Sequence, residues 1–105
     1  MKHYFILDER LGIHIPYLEK DWENISKNDQ HTILLQWESI RGHIPDRIKE
    51  LECTINTKQH QLDNEGNFEK SCILNREISE LASVINDLWI WYRTNQDISS
   101  EKLHA

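Results

Sequence analysis

The sequence predicts an all-α protein: a small antiparallel bundle of three to four helices built on a long C-terminal helical hairpin. Three observations carry that prediction. The chain of 105 residues holds only 3 Gly and 2 Pro, so little of it is turn material. Glu, Lys, Leu, Ile and Gln are plentiful and Val is scarce, a composition that favours helix over strand. Apolar residues between Ile44 and Tyr92 recur at steps of three and four, the period of one helix face. By length the chain is one domain.

Residues 1–15 are expected to form an ordered arm that packs through Tyr4, Phe5 and Ile13 or Ile15. Tyr4 to Leu7 fits a short strand or the first turn of a helix; Gly12 breaks any helix there, and a lone strand needs a partner that is not readable elsewhere. Residues 16–42 are expected to hold two shorter helices. Pro16 suits a helix's first turn, where its missing N–H is harmless. Tyr17, Leu18, Trp22 and Ile25 then fill a helix over about 16–25. Ser26-Lys27-Asn28-Asp29 is a weak capping box, with Asp29 where Glu or Gln is usual. The helix that follows carries Ile33, Leu34, Trp37 and Ile40 on one side. Arg41 and then Gly42 close it, a cation in the last turn followed by a residue free to adopt positive φ.

Residues 45–94 form the hairpin. Pro45 restarts the helix, and Ile44, Ile48, Leu51, Ile55 and Leu62 step by 4, 3, 4 and 7, with Lys58 in the gap. Asn64-Glu65-Gly66-Asn67 is the turn, and Asn67 caps a last helix starting at Phe68. Leu74, Ile78, Leu81, Ile85, Leu88 and Tyr92 step by 4, 3, 4, 3 and 4, the cleanest seam in the chain. A short turn makes the two helices antiparallel neighbours. Folding around Glu65-Gly66 sets Leu51 against Leu81 and Ile44 near Leu88. The last helix therefore overhangs from Asp87 to Thr94. The tail 97–105 is polar and expected to fray.

The overhang contains Asp87-Leu88-Trp89-Ile90-Trp91-Tyr92-Arg93. At 100° per residue, Trp89 lies roughly 60° to one side of the seam, Trp91 roughly 100° to the other, and Ile90 roughly 160° away. A helix apolar all round is normally buried all round. Leu88, Trp89 and Tyr92 are expected to be core. Ile90 and Trp91, together with Trp89, Trp37 and Trp22, are the candidate interface, because exposed Trp dominates protein interfaces.

Catalytic and metal chemistry is poorly supported. The chain has no G-x-S-x-G, no Gly-rich phosphate loop, and its acid pairs Glu50/Glu52 and Glu77/Glu80 read as solvated helix faces. His60 and Cys72 lie near each other across the hairpin, yet a structural zinc site wants four ligands, so no metal and no cofactor is expected. The balance of 12 basic to 18 acidic residues, net −6, lacks the basic stripe of a nucleic-acid binder. Cys53 and Cys72 form no CxxC motif. The apolar run Tyr4–Leu7 is too short for a signal peptide, and no run approaches a membrane span. A reduced, cytoplasmic setting is the expectation.

One segment resembles a known family. Phe68-Glu69-Lys70-Ser71-Cys72-Ile73-Leu74-Asn75-Arg76-Glu77-Ile78-Ser79-Glu80-Leu81 is similar to the second helix of the UVR domain, F-E-x-A-A-x-L-R-D-x-I-x-x-L. Phe68, Glu69, Leu74, Ile78 and Leu81 match it. Ser71 and Cys72 replace the two alanines, Asn75 and Arg76 depart from Arg-Asp, and the preceding loop is too long. The resemblance implies a non-catalytic helical hairpin that docks proteins, as in excision-repair subunits and regulators of stress kinases and proteases.

The expected function is thus a small non-enzymatic interaction or regulatory module, engaging a protein partner, a second copy as a homodimer, or both. Two rival readings stand beside it. One is an acidic inhibitor of a nucleic-acid-processing enzyme, of phage or plasmid type. The other is a metal- or ligand-binding helical protein.

Overall fold

The computed structural model describes residues 4–94. The element order is β1 (Phe5–Asp8), β2 (Ile13–Pro16), a 3-10 turn (Trp22–Asn24), α1 (Lys27–Gly42), α2 (Ile44–Asp63) and α3 (Phe68–Arg93). The molecule is mostly helical and elongated, 59 × 24 × 22 Å. The expected tail 97–105 and residues 1–3 of the expected arm lie outside the described residues.

The fold is not purely all-α. The N-terminal arm is a β-hairpin, with Phe5 opposite Pro16, Ile6 opposite Ile15, Leu7 opposite His14 and Asp8 opposite Ile13. The missing strand partner is thus the very next segment. Gly12 does not merely stop a helix. It takes φ +75°, a left-handed conformation that closes the loop at little cost only for glycine, and its N–H donates to the Asp8 carbonyl at 2.8 Å. A Cβ there would also lie 2.7 Å from Arg47 Nε, because that guanidinium reaches across to the Leu11 carbonyl at 3.0 Å.

The expected helix over 16–25 is absent. Pro16 ends β2 instead, and only Trp22–Asn24 makes a single tight turn. Gln30 of α1 holds that turn, donating to the Trp22 carbonyl at 2.7 Å. Tyr4 ties the strand to the start of α1 by donating its phenol O–H to Asp29 at 2.8 Å. That hydrogen bond, then desolvation, raises the Tyr4 pKa above the ordinary phenol value.

The caps form where the sequence places them. Ser26 Oγ accepts from the Asp29 N–H at 3.2 Å, and Asn67 Oδ1 accepts from the Lys70 N–H at 3.1 Å. Neither Gly42 nor Gly66 uses positive φ; among the described residues Gly12 alone does. Only His43 separates α1 from α2. Pro45 has no N–H for the Arg41 carbonyl and its ring crowds that turn, so the two helices form one bent arm. Counted as arms, the helical hairpin has two, where the sequence suggests three to four separate helices.

The core lies at one end of the rod. Ile44, Ile48 and Leu51 of α2 and Val84 and Leu88 of α3 are buried together with Ile33 and Trp37 of α1, Leu11, Ile13 and Ile25. Beyond Leu51 on α2 and before Val84 on α3 no residue is fully buried. There the two helices have only each other. Lys58 stitches them, donating to Glu77 Oε1 at 3.3 Å, one turn farther along α3 than a fold-back about Glu65-Gly66 places opposite it. At the tip, Phe68 is 80% exposed.

Candidate functional site

The apolar end of α3 is enclosed on one flank by its own chain. Trp37, 1% exposed, stands edge-on to Trp91 with ring centroids 5.7 Å apart and planes at 71°, a favoured arrangement for two aromatic quadrupoles. One turn further along α1, Arg41 lies over the Tyr92 ring at 4.6 Å. Its Nη1 donates to the Tyr92 carbonyl at 3.5 Å, and Nη2 bonds Glu38 at 3.1 Å. A cation is thereby held at the negative end of α3. Thr94 Oγ1 completes this end by donating to the Trp91 carbonyl at 2.7 Å.

The β-hairpin closes the same flank from further round. Arg10 in its loop donates to Asp87 Oδ2 at 2.7 Å and to Ser83 Oγ at 2.9 Å. That pair is exposed, so it contributes under about 1 kcal/mol and mainly sets the position of the loop. Leu11 and Ile15 line a crevice against Ile90 and Trp91.

The opposite flank of α3 has no such cover. Ile78, Ala82, Ile85 and Trp89 follow one another at steps of four, three and four, a continuous stripe on a helix. The groove beside it is lined by α2 and α3 residues alone: Lys49, Glu52, Cys53, Ile55 and Asn56 of α2, and Ala82 and Ile85 of α3. Trp89, at the end of this stripe, is 38% exposed; Ile90, on the β-hairpin side, is 46% exposed. Trp89 touches Tyr92 edge-on at 5.5 Å, so its ring is pinned rather than free.

Of the five candidate interface residues, the structure therefore leaves Trp89 and Ile90 at the surface. Trp37 is core, and Trp91 and Trp22 are half-buried against that core. Trp89 and Trp91 have exchanged the roles expected of them: Trp89 is exposed although it was expected inside, and Trp91 is packed against Trp37 although it was expected to need a partner. Both lie to the side of the seam. Which side is covered depends on where α1 and the β-hairpin lie, and α3 alone does not specify that. Ile78 and Ile85 belong to the expected seam, and Ala82 carries no expectation of its own. Their continuity with Trp89 was the available signal.

Other chemistry is sparse. His60, Cys53 and Cys72 are exposed, and no group of three or more His, Cys, Asp or Glu that could hold a metal ion occurs among the described residues. No helix of the described residues is long and apolar enough to cross a membrane. Comparison of the chain with protein-family profiles, with curated proteins and with solved structures finds no match.

Proposed function

We propose that the chain is a small non-catalytic protein-interaction module, and that its docking surface is the uncovered flank of α3 with the groove beside it. The observation that carries this is the asymmetry of the hairpin. One flank is filled by α1 and the β-hairpin, while the other keeps an apolar stripe of four residues that ends in a half-open tryptophan. A third helix laid along that stripe would bury Ile78, Ala82, Ile85 and Trp89 together, as an amphipathic helix does in a groove. The partner is accordingly a protein presenting a helix with an apolar stripe. Its flanks would meet Lys49 and Glu52, which set the orientation. The UVR-like segment Phe68–Leu81, with its implied docking role, agrees with this reading.

The variant Trp89→Glu is expected to keep wild-type helicity, because this side chain is not enclosed. It is expected to lose at least tenfold in affinity for the proteins that wild type retains, the loss of an interface centred on an aromatic anchor. Cross-linking followed by mass spectrometry of both baits measures this. A well-folded variant that retains the same proteins at the same strength contradicts the proposal.

A further inference from the structure

We infer that the outer edge of β1 pairs with β1 of a second copy, giving a four-stranded sheet across a two-fold axis at Ile6. This surface is formed by residues other than those of the open flank of α3.

The inference starts from backbone directions. The Tyr17 N–H donates to the Tyr4 carbonyl at 2.8 Å, so Tyr4 and Tyr17 form a hydrogen-bonded pair in the ladder. In an antiparallel ladder such pairs alternate with non-hydrogen-bonded ones. Ile6 with Ile15 and Asp8 with Ile13 are then hydrogen-bonded pairs, and Phe5 with Pro16 and Leu7 with His14 are not. Pro16, with no N–H to give, stands at a position where none is needed inside the sheet. The N–H and C=O groups of Phe5 and Leu7 consequently point away from β2. The sheet has only these two strands, and no hydrogen bond to those four groups occurs among the described residues.

The two edges of the sheet are not equivalent. β2 is the strand beside α1, and Pro16 removes a donor from its outer edge, a recognised way of blunting an edge strand. β1 has no proline, and Asp8 at its end is its only charged residue. It exposes Ile6 at 49% and Leu7 at 52%. One pairing edge per chain gives a closed pair rather than a filament, so the occupant that fits is a second copy.

The register is fixed by the positions of the free groups. In a two-fold antiparallel pairing centred on Ile6, Phe5 of each copy faces Leu7 of the other. All four outward groups of each strand are then satisfied, with four hydrogen bonds across the axis. The two Ile6 side chains meet at a non-hydrogen-bonded position, where cross-strand side chains approach most closely. Asp8 faces Tyr4, so no like charges stand opposite each other. Shifting the register by one residue in the pair sum breaks this match, because inward-bonded residues would then face outward ones. The contact is small beside the roughly 1,200–2,000 Å² of a standard interface, so the dimer is expected to be weak and concentration-dependent.

The test is sedimentation equilibrium from about 10 µM to about 1 mM, a span chosen for interfaces of that size class, with three proteins: wild type, Ile6→Lys and Ile6→Glu, each checked for wild-type helicity by circular dichroism. Wild type is expected to pass from monomer to dimer. Each charged variant alone is expected to stay monomeric, since like charges meet on the axis, and an equimolar mixture of the two is expected to regain the dimer. A disulfide probe does not depend on these variants. With Cys53 and Cys72 replaced by Ser, Ile6→Cys is expected to cross-link under mild oxidation at least tenfold faster than Leu7→Cys. A monomeric wild type across the range, charged variants that dimerise like wild type, a mixture that stays monomeric, or equal cross-linking rates would each overturn the pairing. Dimerisation that persists in the Ile6 variants and disappears in Trp89→Glu would place self-association on α3 instead.

Discussion

Trp37→Ala is expected to remove about 3–5 kcal/mol of folding stability, the range for truncating a large buried aromatic. A chain of this size has about 5–15 kcal/mol in total, so the variant sits near or beyond the edge of folding. Trp37 is the largest fully buried side chain, and it joins three parts of the fold. It packs in one cluster with Leu11 and Ile13 of the β-hairpin, Ile44 and Ile48 of α2, and Leu88 of α3. Its loss leaves Trp91 without the ring it stands against. Urea unfolding monitored by circular dichroism measures the loss. Trp37→Phe refines the cause. Trp37 Nε1 is buried with no acceptor among the described residues, so phenylalanine removes an unsatisfied donor while keeping most of the apolar volume. It is expected to cost much less than alanine. Equal costs for the two would show that the hydrogen-bonding end of the indole matters and that its acceptor lies elsewhere.

Trp91→Glu and Trp89→Glu are expected to differ sharply although the residues are two apart. Trp91→Glu puts a carboxylate against the Trp37 ring in a partly enclosed space and forfeits the edge-to-face contact. Loss of packing and desolvation of the charge act in the same direction, and a cost of about 2–4 kcal/mol is expected. Trp89→Glu loses its contact with Tyr92, worth about 1 kcal/mol, and places the new charge in water. The midpoints of urea unfolding give the comparison directly, since neither change alters the surface exposed on unfolding by much. A Trp89→Glu cost equal to that of Trp91→Glu would mean that both flanks of α3 are enclosed.

The helical hairpin was legible because its signals are local and redundant. The seam from Leu74 to Tyr92 has the period of one helix face, and Ser26 and Asn67 sit immediately before the apolar runs they cap. Pro45 marked the break that bends the first arm. The β-hairpin was not legible because its strands are four residues each, Phe5-Ile6-Leu7 shows no polar–apolar alternation, and that of Ile13-His14-Ile15 spans only three residues. Pro16 also suits the first turn of the helix-like run from Tyr17 to Ile25, which hides its place at the end of a strand. The pairing of Phe5 with Pro16 and of Asp8 with Ile13 is a fact about two segments at once, and each alone is ambiguous.

The candidate site was legible to the extent that α3 was seen to be too apolar at its end. The side that stays open was not. Trp89 and Trp91 are chemically equivalent and lie on opposite sides of the seam. What separates them is the route of residues 4–42, where Arg10 reaches Asp87, Leu11 enters the core, and Trp37 arrives against Trp91. Arg47 adds a fixed point by holding the Leu11 carbonyl, which anchors the loop that makes this flank the covered one.

Hydroxyl-radical footprinting of the four tryptophans, read by mass spectrometry on the dilute protein, tests the asymmetry of α3 most directly. Trp89 is expected to be modified fastest, Trp22 and Trp91 more slowly, and Trp37 to be protected. Trp91 reacting as fast as Trp89, or Trp89 as protected as Trp37, would contradict the covered and open flanks on which the proposed docking surface rests.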